Sequence, residues 1–263
     1  MAEQIILCGT QRCGSTLIIE DMRNSGALGN PEEWFVPWDV ERENVDWALA
    51  FAGVKKRGTG KNGVFAIKVM ANQLFSVDAC LASFLSPRGD SDFPHFVSAF
   101  PDAVWVKLVR QDYVAQAISR NMAQQTGVNH ATAHKDDEHF AGNLVKGYKS
   151  SYNEKTVYRF GALLREVTAI TLENLAWDRF FAMQGIKPLV LIYEDVIRDA
   201  ELSHLDKMAK LLGINDPLVR RERAMVRLAN DKNKNWRERF YQDAAKNRYQ
   251  ALKPTQKKNP VSA

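Results

Sequence analysis

Gly9 and Gly14 bracket Thr10, Gln11, Arg12 and Cys13, and the hydroxyls of Ser15 and Thr16 follow directly. A short apolar stretch precedes them and a helical pattern comes after. That spacing makes a phosphate cradle. The turn aims backbone N–H groups at one spot, with the positive end of a helix dipole behind them. A P-loop puts a Lys straight after the second Gly, and here Ser15 stands in that place. A nucleoside triphosphatase needs the Lys on its β- and γ-phosphates. A nucleotide with a single 5′ phosphate does not, so the loop suits an adenylate-type donor better than ATP hydrolysis. Arg12 stands at the mouth of the loop, and its planar guanidinium can make two charge-assisted bonds to an anion. The plainer reading of Arg12 is a surface ion pair.

Other residue types could also do chemistry. Glu32 and Glu33 are adjacent carboxylates in a loop, and residue type alone does not rank them. Trp34, Phe35 and Trp38 could stack on a sugar face and shield it from water, or pack from loop to core. Lys68 closes a strand and either faces a ligand or pairs with an acid. His130 and His134 have the i, i+4 spacing of helical zinc ligands, with His139, Asp136, Asp137 and Glu138 nearby. No Glu follows His130 as in His-Glu-x-x-His. The region therefore reads first as a solvated polar loop, second as a sugar-binding loop, and no metal is expected.

The elements that must position these residues alternate. Segments 4–8, 64–69, 103–109 and 189–193 are short, apolar and β-rich, with helical patterns between them, as in βαβ units. The cradle follows the first strand, and Arg110 follows the third. Both lie at carboxyl ends of strands, where open α/β sheets bind ligands. The clearest helix spans 157–183, with Leu163, Val167, Ile170, Asn174, Trp177 and Phe181 on one stripe that Asn174 interrupts. A second helix over 199–212 is closed by Gly213, with Asp195 read as a helix cap before it. Residues 55–63 read as a solvated basic loop. The chain length predicts one domain over 1–263, with a basic, flexible tail at about 250–263.

The net charge of +5 is uneven: thirteen Lys and Arg against four Asp and Glu lie from residue 217 onward. Such asymmetry suits a nucleic acid or an anionic membrane. A doubly anionic nucleotide accounts for part of it more economically. The aromatic and Gly interleaving of an RNA-binding sheet is missing, so no nucleic-acid partner is expected. No apolar run reaches membrane-spanning length, and the first strand starts too early for a secretory signal. Three cysteines without metal spacing fit a reducing cytoplasm. Cys8 and Cys80 read as buried hydrophobes, and Cys13 as a small filler of the loop.

Five segments in order carry a resemblance. Arg12-Cys13-Gly14-Ser15-Thr16 is similar to the 5′-phosphosulfate loop of sulfotransferases that use 3′-phosphoadenosine 5′-phosphosulfate (PAPS). The stretch from Ser25 through Pro31-Glu32-Glu33-Trp34-Phe35 resembles the bacterial trehalose 2-sulfotransferase family. Lys68-Val69-Met70-Ala71-Asn72-Gln73 and Arg110 to Ser119 match further family segments, and Asn230 to Phe240 matches the donor-closing one. The resemblance implies an α/β fold, a P-loop-like three-layer sandwich with a central, mainly parallel sheet flanked by helices.

The resemblance also implies roles. Glu33 is the general base, Arg12 stabilises the leaving group, and Lys68 lies near the transferred group. Arg12, Cys13, Gly14, Ser15 and Thr16 hold the 5′ end, and Arg110 with Ser119 the 3′ phosphate. Lys232, Lys234 and Trp236 close over the nucleotide, although Trp236 reads equally well as core. Glu33, Trp34, Phe35 and Gln116 lie on the acceptor side, while Gln116 alone also reads as a packed helix residue. The acceptor is a carbohydrate or a glycolipid head group, and a homodimer is implied. Sulfuryl transfer needs no metal. Two rivals remain: a P-loop kinase-like phosphotransferase using ATP and Mg²⁺, and a non-catalytic nucleotide- or polyanion-binding module.

Overall fold

A computed structural model describes residues 3–90, 92–141 and 144–247. The tail at 250–263 lies outside the described residues. Strands β1 (Gln4–Gly9), β2 (Phe65–Met70) and β3 (Val104–Val109) carry the first three apolar runs. Two short strands, β4 (His130–Ala131) and β5 (Leu144–Val145), pair with each other, and β6 (Leu189–Ile192) completes the main sheet. The main order is β2-β1-β3-β6, all parallel. The chain places β2 on one side of β1 and then crosses to the other side for β3. Open α/β sheets bind ligands at such a reversal.

Helices cover both faces of the sheet. They are α1 (Ser15–Asn24), α2 (Trp47–Gly58), α3 (Leu74–Leu81), α4 (Pro94–Ala99), α5 (Tyr113–Thr126), α6 (Phe160–Met183), α7 (Tyr193–Val196), α8 (Ser203–Leu212) and α9 (Asp231–Asn247). Side chains alternate across a strand, which sorts β1 into two cores. Ile6 and Cys8 meet α3, α4 and α6 through Val77, Phe96, Trp177 and Phe180. Ile5 and Leu7 meet α1 and α8 through Ile18, Ile19, Leu205 and Met208. Each such buried aliphatic side chain contributes about 1.5–3 kcal/mol. A third cluster joins α5, α6 and α9 at Ile118, Leu163, Trp236 and Phe240. The result is helix, parallel sheet and helix in three layers.

The stripe on α6 is buried largely as its spacing predicts, and Asn174 bonds within its own helix, Nδ2 donating to Ile170 O. Three expectations need correction. The basic stretch 55–63 is no free loop, because α2 runs through Gly58. Asp46 caps that helix by accepting from Leu49 N, and Lys55 lies over the Phe65 ring with its ammonium on Gln4 Oε1. That burial pushes the Lys55 pKa down to about 8. The 199–212 helix begins at Ser203, since the Asp199 carboxylate takes Ser203 N at 2.7 Å and fixes a turn before it. Asp195 lies inside α7 and pairs with Arg198 rather than capping the helix. No helix among the described residues is long and apolar enough to cross a membrane.

Candidate active site

Backbone strain shapes the loop between β1 and α1. Gly14 caps α1 with φ 97° and Arg12 holds φ 66°, a region costly for a residue with a Cβ. A Cβ at Gly14 would fall 2.3 Å from the Tyr193 ring. Three neighbours over-determine this shape. Trp177 Nε1 donates to Gly9 O at 2.9 Å. Gln116 Nε2 donates to Thr10 Oγ1 at 2.7 Å and Gln11 O at 2.8 Å. Cys13 fills the space beneath, fully buried, and burial raises its thiol pKa, which marks it as inert. Gly14→Ala is expected to lower stability by about 1–3 kcal/mol, measured by denaturant unfolding.

Arg12, Gly14, Ser15, Thr16, Arg110, Ser119 and Lys234 line one cleft of about 830 Å³ at the carboxyl ends of β1 and β3. Arg12 Nε donates to Ser119 Oγ at 3.1 Å and its Nη1 to Asn129 O at 2.5 Å. Arg110 Nη1 donates to Arg12 O at 3.3 Å, and its guanidinium lies 5.0 Å from the Tyr193 ring centre. Arg110 Nε is buried with no partner among the described residues. Burial first, and then the Arg110 charge, lower the Arg12 pKa to about 10. Among the described residues no carboxylate pairs with either guanidinium. Buried cations without a counter-charge are costly, and an anion in the cleft would offset that cost.

A second polar group abuts the cradle. Lys68 is 4% exposed, with Nζ 3.0 Å from Glu33 Oε2 and 3.4 Å from Thr16 Oγ1. Gln73 Nε2 donates to Glu33 Oε1 at 2.9 Å. Glu33 is thus half-buried, oriented on both oxygens, and joined to the cleft through Lys68 and Thr16. Glu32 faces elsewhere: its Oε1 accepts from Glu33 N and its Oε2 is buried without a partner.

The remaining predicted residues land outside the cleft lining. Cys13 and Gln116 brace the loop from behind. Lys232 spends its ammonium on the carbonyls of Asn153, Glu154 and Thr156, pinning the start of α9. Trp236 is core, edge-on to Tyr158. Phe35, 1% exposed, packs between Trp38 and Phe100. It shapes the wall behind Glu33 and offers no face to a sugar, and Trp38 is core as well. Trp34 is partly buried under Arg57. The histidine reading also changes. His130 lies in β4 and lines the cleft, whereas His139 is buried 3.6 Å from Glu20. His134 is exposed. No group of three metal-ligating side chains occurs among the described residues.

Several lining residues were missed in the sequence. Tyr193 sits at the carboxyl end of β6, where the strand-end rule could have found it. Glu194 beside it accepts from the backbone N–H groups of Gln111 and Asp112, holding the turn that carries Arg110. A strap over 223–230 crosses the cleft. Its anchors are acids of α1: Asp21 accepts from Arg223 Nη2 at 2.7 Å and Glu20 from Ala224 N at 2.7 Å. One helix therefore shapes the cradle at its start and the opposite wall at its middle. Pairing over 202 residues of separation leaves no local signal.

The chain is similar to several known proteins. Trehalose 2-sulfotransferase of Mycobacterium tuberculosis (strain ATCC 35801 / TMC 107 / Erdman) is 25% identical, over 91% of this chain and 94% of that protein. Its namesake in Mycolicibacterium smegmatis (strain ATCC 700084 / mc(2)155) is 24% identical over the same shares. Among solved structures, a sulfotransferase from Alicyclobacillus acidocaldarius aligns over 94% of both chains, with 15% identity and a TM-score of 0.44. The family model described as Stf0 sulphotransferase matches residues 4–243, and the chain belongs to that sulfotransferase family.

Proposed function

We propose that the protein transfers a sulfuryl group from PAPS to a carbohydrate hydroxyl, with trehalose the first acceptor to test. The observation that carries the donor reading is the convergence of Arg12 and Arg110, both without a carboxylate partner, on one cleft beside Ser119. The orphaned Arg110 Nε and the cleft volume fit a nucleotide with anionic groups at both ends. The names of the two relatives support the sugar acceptor.

When bound, PAPS supplies a sulfuryl group on a phosphate leaving group. Arg12 and the start of α1 hold the 5′ end. Arg110 and Ser119 read the 3′ phosphate, and Lys234 closes on the nucleotide from α9. Glu33 takes the proton of the acceptor hydroxyl as its oxygen bonds to sulfur and the bond from sulfur to the 5′-phosphate oxygen breaks. Lys68 neutralises Glu33 before the proton moves and faces the transferred group beside Thr16. Positioning and fixed charge do most of the work in a loose transfer of this kind.

Thermal-shift measurements separate the three readings. Stabilisation by 3′-phosphoadenosine 5′-phosphate (PAP), but not by ATP with Mg²⁺, is the expected result. A shift with ATP–Mg²⁺ alone supports the kinase. A shift with any polyanion and no preference for the nucleotide supports the binding module. Labelled PAPS with trehalose and a panel of sugars and glycolipids then identifies the acceptor.

A further inference from the structure

Thr16 sits at a junction. Its Oγ1 is 3.4 Å from Lys68 Nζ on one side and 3.4 Å from His130 Nε2 on the other. An ammonium has donors only, so Thr16 Oγ1 accepts from Lys68, and its own O–H is able to donate to His130 Nε2. A neutral imidazole that accepts at Nε2 carries its proton on Nδ1. Among the described residues no protein group bonds His130 Nδ1, and His130 lines the same cleft as Arg12. Asn129, its chain neighbour, accepts from Arg12 Nη1 and ties the two side chains to one wall. Burial first, then the charges of Arg12, Lys68 and His139, push the His130 pKa down to about 2. Both effects favour the neutral ring.

Thr16 joins the donor cleft to the Glu33–Lys68 pair, so a sulfur that reacts between the two lies near it. We propose that His130 is a catalytic residue of this sulfotransferase, its Nδ1–H donating to the sulfuryl group where the nucleotide cleft meets Glu33. The proposal rests on the PAPS reading above. A neutral donor suits this position. In a loose transition state negative charge moves from the sulfuryl group to the leaving phosphate. A second full cation on the sulfuryl oxygens would then favour the ground state, which slows the chemical step. An N–H without charge orients the group at little such cost.

Three substitutions test this, with kcat and PAP affinity read separately. PAP lacks the sulfuryl group, so its affinity reports the cleft without the proposed contact. His130→Leu is expected to lower kcat about 10²-fold and leave PAP affinity unchanged. His130→Asn places an amide N–H near the old Nδ1 and is expected to recover most of the rate. His130→Gln places its amide near Nε2 and is expected to recover little. Equal rate losses in all three variants overturn the proposal, and so does full activity in His130→Leu. Loss of PAP affinity in His130→Leu also overturns it, since the ring would then be bracing the cleft. Failure of the wild-type protein to bind PAP overturns the donor reading itself, an outcome read without any variant.

Discussion

Glu33→Gln is expected to lower kcat for sulfuryl transfer by about 10²–10⁴-fold, with PAP affinity unchanged. The substitution keeps the shape of the side chain. An amide oxygen can still accept from Gln73 Nε2 or from Lys68 Nζ, the two donors that orient Glu33 now. The ability to take a proton is lost, together with the charge that pairs with Lys68. The change lies outside the nucleotide cleft, so the donor should bind as before. Glu32→Gln is the control, because the Glu32 carboxylate turns back on the N–H of Glu33, and its effect should be small. Unchanged kcat in Glu33→Gln would remove Glu33 as the base. A larger loss in Glu32→Gln would transfer the role to its neighbour.

Arg110→Ala should weaken PAP by about 10–100-fold, the range for losing a hydrogen bond to a charged group. Adenosine 5′-phosphate, which lacks the 3′ phosphate, should be affected far less. Two features motivate the contrast. Arg110 Nε is buried and, among the described residues, unpartnered, so a ligand anion meets a donor already out of contact with solvent. Glu194 fixes the turn through Gln111 and Asp112, not through Arg110 itself. The backbone should therefore keep its course when the guanidinium is removed. Equal losses for both nucleotides would show that Arg110 does not read the 3′ phosphate.

The parts of this site that were legible in the sequence are those set by neighbours in the chain. Gly14 announced the turn because only glycine accepts φ 97° beneath the Tyr193 ring. Strands showed as apolar runs because both sheet faces are covered. Arg110 and Ser119 were legible because the end of β3 carries the first and the helix capped at Asp112 brings the second to the same cleft. What failed was any question of which side of a surface a residue takes. Phe35 and Trp236 are large and apolar, and a residue type that stacks on a sugar or a base fills a core equally well. Lys232 read as a nucleotide ligand, yet three carbonyls around Asn153 claim it first. His130 sat before a run of charged residues that looked solvated, while its hydrogen-bond neighbour Thr16 and the charge of Arg12 come from more than a hundred residues away. Charge at long separation is what the local pattern cannot carry.

The most direct test of the account is a crystal structure of the protein with PAP and trehalose. The account predicts the 5′ phosphate against Arg12, Ser15 and Thr16, the 3′ phosphate on Arg110 and Ser119, and a sugar hydroxyl within hydrogen-bond reach of the Glu33 carboxylate. A nucleotide seated elsewhere on the chain, with Arg12 and Arg110 left without an anion, would contradict it.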